Sequence, residues 1–300
     1  MKKKTYLFAL MAMALTLGSC SDNENGIGGE TSKYITVSTS IGNMTRVATD
    51  EKGGQTFEEG DEISVYAWTG DATVAPETRE RVVNNAINKL TNGSWVSTPQ
   101  MLWKNNRDKH YFIGVYPNAA ISDLSAGEYT FDETKQVESD LLVAVNKDGL
   151  SYNVDEQQPV PLTFTHVMAK LVVNLTYKNQ WGGIPTVEKV VVGNAAKEAT
   201  INYLTKVVTP STTAKEDFSL PEITENTKYV SVIIPQEEVT QLTIVIGGKN
   251  FVYDNGTPFK LESGKITTVN LEVGRDEIKL GDVKITNWED GSTFSGEALN

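Results

Sequence analysis

The chain has 300 residues, 39% of them hydrophobic and 22% charged, with a formal net charge of −12. That length is enough for one large or two ordinary domains. A surface this acidic repels nucleic-acid phosphates and anionic headgroups, so nucleic acid is excluded as a partner.

Met1-Lys2-Lys3-Lys4 is a basic start, followed by an apolar run from Thr5 to Leu17. A basic head, a short apolar stretch and small residues before a cut define a secretory signal. The run ends at Leu17-Gly18-Ser19-Cys20, and Cys20 is the only cysteine in the chain. A cysteine directly after Leu-Gly-Ser is the lipoprotein form of such a signal. Residues 1–19 are expected to leave, and Cys20 to be lipidated and become the N-terminus. Losing the three lysines takes the exported chain to a net charge of about −15. After Cys20 no apolar run approaches the ~20 residues of a membrane helix, so the acyl chains (palmitate among them) would be the anchor.

Residues 20–33 continue as a polar, acidic, Gly-rich tether. The acidic residues after Cys20 resemble the tag that sends some lipoproteins to the outer face of the outer membrane. A plain solvated linker fits the composition equally well.

From Tyr34 the chain reads as β. Tyr34–Ile41 alternates, with Ile35, Val37, Thr39 and Ile41 on one face. Strand-like runs follow at 62–68, 110–116, 140–145, 161–166, 170–177, 187–192, 229–234, 241–246 and 265–273. β-branched and aromatic residues dominate them, and turn residues punctuate them, as at Thr91-Asn92-Gly93 and Gly247-Gly248. Glu77–Leu90 is a candidate short helix, although Pro76 and the Val-Val-Asn-Asn composition weigh against it. About a dozen strands exceed one seven-stranded sandwich, so two sandwiches in tandem are expected, divided after His166.

Catalytic chemistry finds little support. His110 and His166 are the only histidines, each inside a β run, and no Gly-x-Ser-x-Gly elbow is present. His166 reads as a packed, hydrogen-bonded core residue. Two histidines and one lipidated cysteine do not make a zinc site, and no phosphate-cradling loop opens a helix. Asp254-Asn255-Gly256 reads as a hairpin turn rather than a calcium ligand set. An acidic β surface carries carboxylates by default, so no catalytic residue, metal or cofactor is assigned.

Three segments together resemble the fimbrillin family, the subunits of protease-assembled type V pili of Gram-negative anaerobes. The first is Met44-Thr45-Arg46 with the later Phe57-Glu-Glu-Gly60-Asp61-Glu-Ile63-Ser-Val65. The second is Phe164-Thr-His166-Val-Met-Ala169-Lys170, and the third is Leu261-Glu-Ser-Gly264-Lys265-Ile-Thr-Thr-Val with Ile285-Thr-Asn-Trp288 near the C-terminus. The resemblance implies an all-β fold of two transthyretin-like, Greek-key sandwiches, over 47–167 and 168–300, and a surface-exposed outer-membrane lipoprotein that becomes part of a fimbria.

It also implies an assembly scheme. A sandwich missing a strand is an aggregation hazard. Residues 34–46 would supply a removable plug strand, with Ile35, Val37 and Ile41 filling the groove. A trypsin-like, Arg-specific protease cutting between Arg46 and Val47 would release it. The vacated groove would then take a strand from a neighbouring pilus subunit. Residues 277–288 are the candidate donor, with Ile278 and Leu280 in one register, Val283 and Ile285 in another, and a break at Gly281-Asp282. The competing reading is a lipid-anchored surface protein that binds host glycans or proteins without polymerising, with Trp68, Trp95, Trp103 and Trp181 as stacking platforms, although core packing is the expected fate of most of them. An anchor or tip subunit lies between the two readings.

Overall fold

The computed structural model describes residues 33–42, 56–153 and 158–288, and residues from Lys33 onward form one compact unit. The described chain is almost wholly β. The first eight strands are β1 (Val37–Ile41), β2 (Glu62–Thr69), β3 (Arg81–Thr91), β4 (Ser94–Thr98), β5 (His110–Tyr116), β6 (Gly127–Thr130), β7 (Leu142–Leu150) and β8 (Val160–His166). Then come β9 (Ala169–Tyr177), β10 (Lys189–Ala196), β11 (Glu198–Asn202), β12 (Val207–Pro210), β13 (Lys215–Ser219) and β14 (Glu222–Thr224). The last five are β15 (Lys228–Ile233), β16 (Gln236–Ile246), β17 (Lys249–Leu261), β18 (Lys265–Val273) and β19 (Ile278–Asn287).

Seven strands make the first sheet, in the order β1-β8-β7-β5-β2-β3-β4. β1 runs parallel to β8, and the other neighbours are antiparallel. After His166 the chain leaves this sheet. A five-stranded sheet (β14-β15-β9-β18-β19) and a four-stranded sheet (β13-β10-β16-β17) follow, and β12-β11-β6 form a small third. The apolar core does not divide at this change of sheet. Tyr66, Trp68, Ile113 and Val143 share one cluster with Leu171, Val190 and Val269. β6 also crosses to pair with β11.

β2 explains that continuity. It is buried from Ile63 to Trp68. One face, Ile63, Val65 and Ala67, joins Ile35, Val37, Phe112 and Phe164 in a second cluster. The other face, Tyr66 and Trp68, joins the large cluster that reaches Trp288. A strand buried on both sides needs a run of apolar residues rather than alternation.

The structure corrects two local expectations. Glu77–Leu90 is not a helix: a single 3-10 turn at Thr78–Glu80 leads into β3. The Asn-Asn pair that interrupts the strand pattern is a bulge. Asn85 takes φ of 54°, the β2–β3 register shifts beside it, and its Oδ1 accepts from Ser64 Oγ at 2.7 Å. Asp254-Asn255-Gly256 is likewise no hairpin turn. It lies inside β17, where the pairing with β16 jumps from Gln241↔Asp254 to Val239↔Phe259. The two-residue hairpin turns are at Asn92-Gly93 (φ 51° and 73°) and Gly247-Gly248 (φ 58° and 71°).

Candidate functional site

The first strand and the residues just before it have two backbone partners. On one side β1 continues the ladder of β8, in register from Val37↔Val160 to Ile41↔Phe164. Thr36 O accepts Val160 N–H at 2.8 Å, and Gly42 N–H donates to Phe164 O at 2.8 Å. On the other side, residues just upstream bond the segment that follows β4. Ile35 N–H donates to Met101 O at 2.9 Å, and Trp103 N–H donates to Lys33 O at 3.1 Å. Residues 33–42 therefore link β8 to the segment beyond β4.

The alternation of this segment decides what fills the interior. Ile35 and Val37 are only 2% and 7% exposed, while Thr39 and Ile41 are half-buried. Each buried aliphatic contributes roughly 1.5–3 kcal/mol relative to an exposed one. Phe57 closes the end near Ile41, with its ring edge-on to Trp95, Tyr116 and Phe164 at 5.1–5.3 Å. Two side-chain bonds fix the register of β1. Ser40 Oγ donates to Thr163 Oγ1 at 3.2 Å, and Trp95 Nε1 donates to Thr39 Oγ1 at 2.9 Å. The sequence offers Trp95 as a stacking platform or as a core residue, and neither reading includes a hydrogen bond to β1. A polar residue in an otherwise apolar face, Thr39, was the available signal for its role here.

The last strand lies at the edge of the five-stranded sheet, antiparallel to β18. Its two aliphatic pairs share one face. Ile278, Leu280, Val283 and Ile285 stand opposite Val273, Leu271, Val269 and Thr267, all buried and directed to the core. A one-residue register shift at Gly281 reconciles the two spacings. A Cβ there would meet Asn270 O at 3.2 Å. Leu280, Val283 and Ile285 nevertheless stay 36–39% exposed, and among the described residues no further strand pairs with β19 on its outer side.

Trp288 fixes the end of this strand. It is 4% exposed, and its ring stacks on His166 at 4.0 Å with 5° between planes. Lys170 Nζ sits 4.4 Å from the same indole. His166 Nδ1 bonds Asp140 Oδ1 at 2.8 Å, so the packed histidine is hydrogen-bonded as expected. Burial pushes the Lys170 ammonium below its ordinary pKa, partly opposed by Asp140. His110 is fully buried. Lys104 N–H donates to its Nε2 at 3.1 Å, and its Nδ1 is 3.0 Å from Asp108 O. Both bonds suit a neutral ring that donates through Nδ1, and burial pushes its pKa down. Neither histidine adjoins a nucleophile in these contacts, and no group of metal-ligating residues occurs among the described residues.

A cleft of about 730 Å³ opens beside the start of the first strand, between Trp68, Arg79, Leu102, Trp103 and Lys104. Its tryptophans are not free platforms. Trp68 is 2% exposed and donates its Nε1–H to Asp71 O, and Trp103 packs against His110 and Phe112. Trp181 is half-buried against Phe251. Cys20, Arg46 and Val47 lie outside the described residues.

A family model described as fimbrillin-like matches residues 45–288. The chain belongs to the fimbrillin-like family. This fimbrillin-like chain is 24% identical over 316 residues to a candidate fimbrium subunit, Fim1C, of Bacteroides uniformis, covering 97% of each. Solved structures share the fold. A candidate cell-adhesion protein of Bacteroides ovatus superposes with a TM-score of 0.64 at 17% identity, over 85% of this chain and 98% of that one. One from Bacteroides uniformis gives 0.61 at 17% identity, over 86% and 100%. A fimbrial protein of Bacteroides vulgatus gives 0.52 at 13% identity, over 84% and 99%. Membership in this family makes the fimbrillin-like chain a fimbrial subunit of the cell surface.

Proposed function

We propose that the chain is a structural and adhesive fimbrial subunit that polymerises by exchanging strands. In this reading it is exported as an outer-membrane lipoprotein on Cys20. An Arg-specific protease cuts between Arg46 and Val47, which frees residues up to Arg46. A strand from a neighbouring subunit then takes the vacated seat. The single observation that carries the reading is the seat of β1. A short N-terminal strand lies between β8 and the 101–103 segment, with Ile35 and Val37 in the core, and it is separated in sequence from both partners. β19 is the donor in this scheme, an edge strand whose aliphatic face is half open.

A second reading, a tip or non-polymerising binding protein, draws on one observation. Trp288 is packed between His166 and Lys170, which holds β19 in its own sheet. One experiment separates the two. Residues 21–300 are treated with a trypsin-like protease, and the new N-terminus and oligomer size are measured. A start at Val47 with SDS-resistant ladders is the expected result. A cut at Arg46 that leaves a stable monomer favours the tip reading. No cut at Arg46 overturns the proposed processing.

A further inference from the structure

The inward face of the first strand is not uniformly apolar. From its N-terminal end the inward positions are Ile35, Val37, Thr39 and Ile41. The third is a hydroxyl that accepts the Trp95 indole N–H at 2.9 Å. That N–H is a donor only. The indole is also held edge-on to Phe57, at 5.3 Å and 82°, so it is not free to turn away. Any strand in this seat must offer an acceptor at its third inward position. Otherwise this part-buried N–H loses its acceptor, which disfavours the strand.

We propose that Trp95 determines which strand the seat accepts, a proposal that rests on the strand-exchange reading. The pattern it selects is apolar-x-apolar-x-acceptor, as in Ile35-Thr36-Val37-Ser38-Thr39. β19 of a second copy carries this pattern twice in succession. Ile278-Lys279-Leu280-Gly281-Asp282 ends on a carboxylate, and Val283-Lys284-Ile285-Thr286-Asn287 ends on an amide oxygen.

The geometry of the two strands explains why there are two copies. The β1–β8 ladder has no register shift from Val37 to Ile41, so the seat has period two throughout. β19 keeps its four aliphatic residues on one face only through the shift at Gly281. A straight seat therefore takes one half of β19 at a time. Each half brings two aliphatics and then an acceptor. In its own sheet those acceptors are already engaged: Asn270 Nδ2 donates to Asp282 Oδ1 at 2.6 Å, and Lys265 Nζ bonds Asn287 Oδ1. In the seat, the Trp95 N–H replaces that donor at the acceptor of whichever half is bound.

The test uses the full chain cleaved after Arg46 and fluorescent peptides read by anisotropy. One peptide spans 33–42, with and without Thr39→Val. The other spans 276–288, with and without the pair Asp282→Val and Asn287→Val. Removing the acceptors should weaken binding about tenfold. The difference should vanish on a Trp95→Phe chain, which keeps the ring and loses the donor. Equal binding of the Val peptides to the unchanged chain overturns the proposal. Failure of every peptide to bind instead overturns strand exchange. The acceptor rule is then decided on the uncut chain, by a denaturation cycle of Thr39→Val and Trp95→Phe. Coupling between the two substitutions supports the rule, and strict additivity overturns it.

Discussion

Trp288→Ala should release the C-terminal strand. The indole is 4% exposed, and its Nε1 has no hydrogen-bond partner among the described residues, so truncation removes packing rather than a hydrogen bond among them. Buried Trp or Phe to Ala costs about 3–5 kcal/mol. Of that, the stack on His166 and the Lys170 ammonium over the ring account for about 1–3 kcal/mol together. A loss of about 3 kcal/mol corresponds to roughly a hundredfold change in an opening equilibrium. Native-state amide exchange reads it directly. The amides of β18 that bond β19 should exchange about a hundredfold faster, while those of β5 and β2 change far less. Trp288→Phe should recover part of the protection through ring packing. If β18 exchange in Trp288→Ala stays within a few-fold of the unchanged chain, the indole does not hold the strand and the reasoning fails.

Three further outcomes follow from the same contacts. Gly114→Ala places a Cβ 2.6 Å from Phe164 Cζ and 3.2 Å from Leu162 Cδ1, inside a fully buried cluster. Overpacking of this kind costs about 1–3 kcal/mol, read as a lower urea midpoint at an unchanged slope. Asn85→Ala puts alanine at a φ of 54° and strips the buried Ser64 hydroxyl of its acceptor, for a loss of about 2–3 kcal/mol. Asn85→Gly should recover only the backbone share. At Asp123, the Ser125 hydroxyl and then the Ser125 backbone N–H hold the carboxyl below its ordinary pKa. A folded pKa below the unfolded one gives stability that is present above the ordinary carboxylate range and is lost as pH falls through the folded value. Asp123→Asn should therefore flatten that part of the acid limb below about pH 4, in urea midpoints taken across pH. An acid limb as steep as that of the unchanged chain would refute the assignment.

Long alternating or continuous apolar runs were legible from the sequence. Glu62–Trp68, His110–Tyr116 and Lys265–Val273 each coincide with a strand to within a residue or so. Alternation also put Ile35 and Val37 on the buried side of β1. What escaped was structure defined by a partner. β12 and β14 are short and largely exposed, with no period of their own, and they are strands only through β11 and β15. β3 was obscured because a bulge at Asn85 breaks its period, and β17 because Asp254-Asn255-Gly256 carries ordinary turn chemistry inside a strand. The two aliphatic pairs of β19 looked like two registers, since the bulge that aligns them appears only when β18 is beside them. The Trp288–His166 stack joins residues 122 apart, and nothing local in either segment announces it.

One feature of the seat bears on mechanical load. Residues 33–35 bond the 101–103 segment, whereas residues 36–42 bond β8, so the two ends of one short segment are tied to different parts of the fold. Tension along the strand loads both attachments together, with the hydrogen bonds lying across the direction of pull. Such bonds shear as a group instead of opening one after another. An occupant of this seat, from the same chain or from a neighbour, would thus resist axial traction far better than a sideways peel. That asymmetry is suited to a filament whose subunits are strung end to end.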